Sequence, residues 1–358
     1  MFHDPAGYLD FLRSLELDFH GIKSWRRGGN EAVAAVGKSA AFMYKRFLES
    51  CPGMAQLPVF IVLPHGYDTF GIPEERIVFS THPHITKESF EAAERLLGFL
   101  AKIRPERIYL LLSGGSSALL EKSCDPEQTM KVNDGLLKSG LPITEMNRIR
   151  IENSLIKGGK LAALFPKTEW RVFVMSDIPF DHGERLVGSM PFWRENLENT
   201  ELYVSADSDS LHDALLKMLP RETLSIRRFT GSVDELVSIL AHSVKSSVPC
   251  TLVTGEPLLE IPRSASGTGG RMTHLALSFY KYLPENAELF ALSSDGIDGN
   301  SPYAGAIISK KAAIPDEKIA GALGEFNSAA LLNEYGFAVE SGATGINLND
   351  FVILKLKD

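Results

Sequence analysis

Cysteine is scarce in this chain. Cys51, Cys124 and Cys250 are the three thiols in 358 residues. Their number is odd, their spacing is wide, and no Cys/His group with zinc spacing surrounds any of them. A disulfide framework and a zinc module are therefore excluded as organising devices, and idle or buried thiols in a reducing compartment are expected. Positive charge is also short: 37 Lys and Arg stand against 45 Asp and Glu, a net charge of −8. That speaks against a nucleic-acid partner. An anion can still be bound by a few local cations, by helix N-termini and by metal. No apolar run reaches the ~18 residues of a membrane span. The opening stretch MFHDPAGYLDFLRSLELDF is amphipathic and acidic, without the basic start and apolar run of a signal peptide. No membrane partner and a cytoplasmic location are expected. Internal repeats and low-complexity tracts are absent as well.

What is present is ordinary globular composition, 44% hydrophobic and 23% charged. At roughly 150 residues per domain the length suggests two domains. Short apolar runs mark candidate strands at Ala32–Val36, Pro58–Leu63, Ile77–Ser80, Ile108–Leu112, Arg171–Ser176, Glu201–Ser205, Cys250–Thr254, Leu289–Ser293 and Phe351–Leu356. Several are continuous, as in strands covered on both faces. Helical periodicity lies between them, as at Phe90, Ala93, Leu96, Leu97 and Leu100 within 88–102. Ser232 and Glu235 form a capping box that opens a helix through Val244. The alternation predicts mainly parallel, layered α/β sheets. The polar stretch SADSDSLHD puts a boundary near 200–210, giving domains 1–205 and 206–358.

In layered α/β proteins ligands collect where strands end and helices begin. After Ile108–Leu112 comes Ser113-Gly114-Gly115-Ser116-Ser117. Glycine lets backbone N–H groups converge on an oxyanion, so the loop reads as a phosphate or carboxylate cradle or as a tight strand–helix turn. Gly37-Lys38-Ser39 follows Ala32–Val36 but is not a P-loop, because Ala32 stands where that pattern needs glycine. Lys38 at a helix start opposes the dipole unless it faces an anion. Asp177 with Asp181, and Asp295 with Asp298, offer two carboxylates each in a loop after a strand. Such oxygens suit Mg²⁺ completed by substrate phosphates, or serve as turn formers and caps. Gly267, Gly269 and Gly270 precede Arg271, whose planar fork matches carboxylate or phosphate. Lys157-Gly158-Gly159-Lys160 reads as a mostly solvated basic cluster.

Taken together these segments resemble the glycerate 2-kinase (MOFRL) family. The shared phrases run in family order through nearly the whole chain: VGKSAAFM, THPHITKESFEAA, LLLSGGSSALLE, SGLPITEMNRIRIENSLIKGGKLA, SDIPFDH, SGTGGR, SSDGIDGNSPYAGA and SGATGINLND. Each phrase is weak alone, but eight in order are specific. There are departures. Met272, Thr273 and His274 replace the N-x-E that usually follows GGR, Phe180 replaces a usual glycine, and Ser294 replaces a threonine. They leave His274 without a role and put the nucleotide contacts in doubt.

The resemblance implies an α/β fold in two lobes: a Rossmann-like parallel-sheet N-terminal domain and a smaller α/β C-terminal (MOFRL-like) domain, with the active site in the cleft between them. It implies transfer of the ATP γ-phosphoryl group to D-glycerate, usually at the 2-hydroxyl, with Mg²⁺ or another divalent metal. On that reading Lys38 supports the phosphoryl oxygens. Ser113, Gly114, Gly115, Ser116 and Ser117, together with Gly267, Gly269 and Gly270, bind substrate or phosphate. Arg271 clamps an anion, and Asp177 and Asp295 hold metal or orient the attacking hydroxyl. His82 and His84 are open between binding and turn formation. Three rivals stand beside it. A serine hydrolase with Ser116 as nucleophile lacks the final glycine of G-x-S-x-G, which is Ala118. An NAD-dependent hydroxypyruvate reductase lacks G-x-G-x-x-G after a strand. A non-catalytic small-molecule sensor would suit the departures. A homodimer is the base-rate expectation.

Overall fold

Residues 5–22, 29–178, 182–194, 197–262 and 265–357 are described by a computed structural model. Asp181 and Phe180 lie outside the described residues. The chain forms two compact units, one made of Glu16–Asp207 with Gly345–Asn347, the other of the segment ending at Leu15, Ser208–Thr344 and the chain from Leu348 on.

The first unit is built on six strands: β1 (Glu31–Val36), β2 (Val59–Pro64), β3 (Ile77–Ser80), β4 (Arg107–Ser113), β5 (Glu169–Met175) and β6 (Thr200–Ala206). All pair in parallel, in the order β3-β2-β1-β4-β5-β6. This is the doubly wound Rossmann order. Every residue of β1 is buried, as are Ile108–Ser113 of β4, because helices cover both faces of a parallel sheet. The helix Lys87–Ile103 buries Ala92, Ala93, Leu96 and Leu100, which join Val36, Val62, Leu110 and Leu112 in one core. Glu31 is buried at the start of β1, where Arg107 Nη1 donates to it at 3.0 Å.

The second unit departs from the parallel expectation. Its strands are β7 (Leu224–Phe229), β8 (Cys250–Gly255), β9 (Ala287–Ser293), β10 (Tyr303–Ser309), β11 (Ala338–Glu340) and β12 (Asp350–Leu356), in the order β11-β10-β9-β12-β8-β7. Only β7 and β8 pair in parallel, and every other pairing is antiparallel. The short connection 294–302 returns the chain from β9 to β10 without a crossover helix, which only an antiparallel pair allows. The capping box opens the helix Val233–Lys245 as expected: Glu235 N–H donates to Ser232 Oγ at 3.1 Å, and Ser232 N–H to Glu235 Oε2 at 2.7 Å. The helix Pro5–Ser14 belongs to this unit, where Tyr8 is buried, its hydroxyl donating to the Ser293 carbonyl. Among the described residues no helix is long and apolar enough to cross a membrane, and all three cysteines are free.

Candidate active site

In the first unit the chain leaves β1 towards β2 and leaves β4 towards β5, so the loops after β1 and β4 part at the switch point of the sheet. A crevice at that point is where doubly wound folds bind ligands. The two loops carry Lys38 and Ser113–Ser117, and they are stitched together. Ser39 N–H donates to Ser113 Oγ at 3.0 Å, and Lys38 N–H donates to the Gly114 carbonyl at 2.9 Å. Gly37 has φ +132°, and a Cβ there would overlap Ser113 Oγ. A Cβ on Gly114 would come within 2.7 Å of Asp177 Oδ2, so the carboxylate after β5 lies directly against this loop. A Cβ on Gly115 would meet Lys38 Cγ at 3.0 Å and His82 Cδ2 at 3.1 Å. Lys38, His82, Asp177 and the 113–117 loop are thus immediate neighbours.

The serine hydroxyls of that loop are turned inward. Ser116 Oγ donates to the Ser113 carbonyl at 2.9 Å. Ser189 Oγ donates to Asn147 Oδ1 at 2.7 Å, so at 2.8 Å it accepts from Ser117 Oγ. What the loop offers outward is backbone. Among the described residues no acceptor engages the N–H groups of Gly115, Ser116 or Ser117. Asp177 Oδ2 accepts from Asn347 Nδ2 at 2.7 Å.

Cationic side chains gather beside the loop. The His82 imidazole is pushed down to about 3 by burial and by the charges of Lys38 and Arg150, with His84 adding to them. It is therefore neutral at physiological pH. Arg150 donates from Nη2 to Asn133 Oδ1 at 3.2 Å, while its Nε is shut off from solvent with no acceptor among the described residues. Asn133 Nδ2 in turn donates to the Pro83 carbonyl at 3.4 Å. The basic cluster expected to be solvated is not. Lys157 is 1% exposed and pairs with Glu121, also 1% exposed, and Lys160 Nζ donates to the Ile151 and Ser154 carbonyls at 2.6 Å each.

The second unit holds Gly267, Gly269, Gly270, Arg271 and Asp295. Arg271 Nε donates to Asp350 Oδ2, and Nη1 donates to Glu256 Oε1 at 2.8 Å. Asp350 is buried, and burial raises its carboxyl to about 7 against the opposing pull of Arg271. Backbone donors of the glycine-rich loop are used internally: Thr268 N–H by Asn327 Oδ1, Gly269 N–H by Asn300 Oδ1, Gly270 N–H by Thr273 Oγ1. Asp298 is a helix cap. Its oxygens accept from Met272 N–H at 2.9 Å and from Thr273 N–H and Oγ1 at 2.8 Å each, the anionic end that a helix N-terminus favours. Asp295 Oδ1 accepts from Ser293 Oγ and Ile297 N–H, both at 3.0 Å. His274 stacks on Phe326.

Among the described residues no group of three His, Cys, Asp or Glu side chains is placed to hold a metal ion. Mg²⁺ completed by phosphates needs only one or two carboxylates, and Asp177, against the 113–117 loop, is one that could serve. Sequence reasoning missed Arg150, Asn133, Asn147, Ser189 and Asn347. Asn147 and Arg150 share a face of the helix Ile143–Asn153 at i, i+3, and that spacing was the available signal. A cavity of about 450 Å³ lined by Leu17, Phe19, Ile22, Cys51 and Met54 lies by the far end of the helix Ala40–Ser50 from Lys38.

Comparison with known proteins finds matches in both units. A model described as a domain of unknown function (DUF4147) matches residues 12–217, and the MOFRL family model matches residues 249–350. A glycerate 2-kinase of Sulfurisphaera tokodaii is 30% identical over 368 residues, covering 91% of this chain and 90% of that protein. A protein of Agrobacterium vitis, provisionally named hydroxypyruvate reductase, is 26% identical over 78% of this chain and 86% of its own. The crystal structure of a glycerate kinase from Thermotoga maritima shares the fold at a TM-score of 0.80 and 22% identity, over 98% of this chain and 97% of that one. With matches that run through both units, the chain belongs to the glycerate 2-kinase (MOFRL) family.

Proposed function

We propose that the protein transfers the γ-phosphoryl group of ATP to the 2-hydroxyl of D-glycerate, giving 2-phosphoglycerate and ADP. The observation that carries this reading is the meeting of Lys38, the 113–117 loop and Asp177 at the switch point of the first sheet. Phosphoryl transfer needs placement and charge neutralisation more than covalent chemistry. The hydroxyl oxygen attacks phosphorus as the bond to the ADP oxygen breaks. Lys38 faces the equatorial oxygens, where negative charge is spread. The N–H groups of Gly115, Ser116 and Ser117 face an anionic oxygen of the substrate. Asp177, steadied by Asn347, orients the attacking hydroxyl or is the carboxylate that would hold Mg²⁺. A bound divalent ion would neutralise charge on the nucleotide phosphates. His82 stays neutral and serves as a hydrogen-bonding partner. Arg271 and Asp295 remain candidates on their own chemistry, Arg271 with Nη2 outside its two carboxylate bonds. The free thiols suit a cytoplasmic setting.

The test is incubation of the full chain with ATP, Mg²⁺ and D-glycerate, with ADP release followed and the product identified by ³¹P NMR. Absence of phosphoglycerate rejects the reading, and 3-phosphoglycerate rejects the assigned position. Oxidation of NADH on hydroxypyruvate in place of ADP release would favour the reductase name carried by the Agrobacterium vitis relative.

A further inference from the structure

Arg150 is the most prominent group that the mechanism leaves unused. Its one hydrogen bond among the described residues goes to a neutral amide, Asn133 Oδ1. The acid whose charge acts on it is Glu121, but Glu121 is already paired with Lys157 and receives a hydrogen bond from Ser154 Oγ at 2.5 Å. The Glu121–Lys157 pair is neutral as a unit, so among the described residues the Arg150 charge has no partner of its own. The same holds for the field around His82, where Lys38 and Arg150 act together on one neutral ring. Lys38 and Arg150 are half-buried, and among the described residues neither forms an ion pair, while the nearby carboxylate of Asp177 accepts from Asn347. A buried N–H such as Arg150 Nε, with no acceptor, is rare unless water or a ligand meets it.

We propose that Arg150, held by Asn133 beside Lys38 and His82, is a carboxylate-recognition subsite that receives the carboxylate of a small 2-hydroxy acid. The identity of that acid rests on the kinase reading, whereas the subsite rests on the side chains. A guanidinium offers two parallel N–H groups that match the two oxygens of a carboxylate. Asn133 fixes the fork from one side and binds the Pro83 carbonyl from the other, so the helix Ile143–Asn153 and the 82–84 loop are held in register. A neutral His82 adds a hydrogen-bonding ring without charge. Lys38, on the neighbouring loop, is left for the phosphoryl group.

Carboxylate and phosphate share this chemistry, and the experiment separates them. Binding of D-glycerate, of glycerol as its uncharged analogue, and of ATP is measured by calorimetry on the full chain, for wild type, Arg150→Gln, Arg150→Lys and Asn133→Ala, each checked by its melting curve. Wild type is expected to bind glycerate and to ignore glycerol at the same concentration. Arg150→Gln should weaken glycerate by about 10- to 100-fold, with ATP affinity kept within about 2-fold. Arg150→Lys keeps the charge and loses the fork, so it should recover part of the loss. Asn133→Ala should weaken glycerate by a smaller factor. Wild-type glycerate affinity in Arg150→Gln overturns the proposal, as does an equal loss of ATP, which would assign the group to phosphate. If Arg150→Gln does not fold, unchanged glycerate affinity in both Arg150→Lys and Asn133→Ala overturns it. A wild type that binds no glycerate overturns it too. Arg150-dependent glycerate binding without phosphoryl transfer would instead sink the kinase reading and leave the subsite standing.

Discussion

Gly37 and Ser113 touch so closely that a Cβ on Gly37 would overlap the serine oxygen, at a backbone φ of +132° that L side chains rarely adopt. The contact locks the loop after β1 to the loop after β4. Gly37→Ala must push them apart, and a displacement of ~1 Å at a reacting group can cost ~10²-fold in rate. The expected result is a folded protein whose glycerate phosphorylation falls by about that factor in kcat/KM. Wild-type turnover would show that the two loops do not act together.

Lys38 carries the more direct claim. Loss of one preorganised electrostatic contact to the transition state costs roughly 10²–10³ in kcat. Lys38→Ala removes a side chain that contributes no buried ion pair among the described residues. Its melting temperature should stay near that of wild type while steady-state turnover collapses. A variant that keeps its activity would remove Lys38 from the mechanism.

Glu121 and Lys157 test the support behind the site. Both are 1% exposed, and burial pushes the Lys157 ammonium down while Glu121 holds it up. Breaking a buried pair from one side typically costs about 3–5 kcal/mol, because the remaining charge is left uncompensated. Glu121→Gln and Lys157→Met should each unfold at clearly lower urea. The double variant Glu121→Leu/Lys157→Met should regain most of the loss. Additive losses in the double variant would contradict a mutually compensated pair.

These groups also show which parts of the molecule were legible in the sequence. β1 and β4 could be read because a strand covered on both faces is a continuous apolar run, and the glycines that follow them punctuate the turn. β7, β10 and β11 could not. β7 is a partly exposed edge strand bearing Arg227 and Arg228, β10 opens on Tyr303-Ala304-Gly305 inside a loop-like phrase, and β11 is three residues long. The parallel expectation failed in the second unit partly for that reason: β10 and β11 pair antiparallel, but β7 pairs parallel with β8, and β12, read as a strand, lies antiparallel to both β8 and β9. Asp298 looked like a loop carboxylate because its partners, Met272 and Thr273, lie 26 and 25 residues away. Arg150 drew no role because Asn133 and Pro83 define it, and neither is a helix neighbour. Lys38 and Gly114–Ser117 could be located from strand ends alone, but inward-turned hydroxyls are a tertiary fact.

Arg271 has a structural duty to separate from any catalytic one. It engages buried Asp350 and Glu256 at once. Removing it leaves Asp350 buried without its cation. Burial already lifts the Asp350 carboxyl to about 7 with the cation in place, so it takes up a proton once Arg271 is gone, and Arg271→Ala should lower the urea midpoint. Arg271→Ala/Asp350→Asn should be more stable than Arg271→Ala alone by urea unfolding. If activity falls in Arg271→Ala at temperatures where it is fully folded, and the double variant regains stability but not activity, Arg271 acts on the substrate as well.

His82 gives a pH signature. Its imidazole sits at about 3 in the folded protein against 6.5 without that environment. Above pH 6.5 it is neutral in both states and contributes no slope. Between pH 6.5 and 3 the unfolded chain takes up a proton that the folded site refuses, so the unfolded state gains and stability falls as pH drops. His82→Gln removes that uptake. The urea midpoint of wild type should drop more than that of His82→Gln between pH 7.5 and 5, with the gap closing above pH 7. Arg150→Gln should shrink the same gap in part, because one of the two cations that depress His82 is gone. Parallel pH profiles for wild type and His82→Gln would mean that the cationic corner formed by Lys38 and Arg150 does not act on the ring at 82.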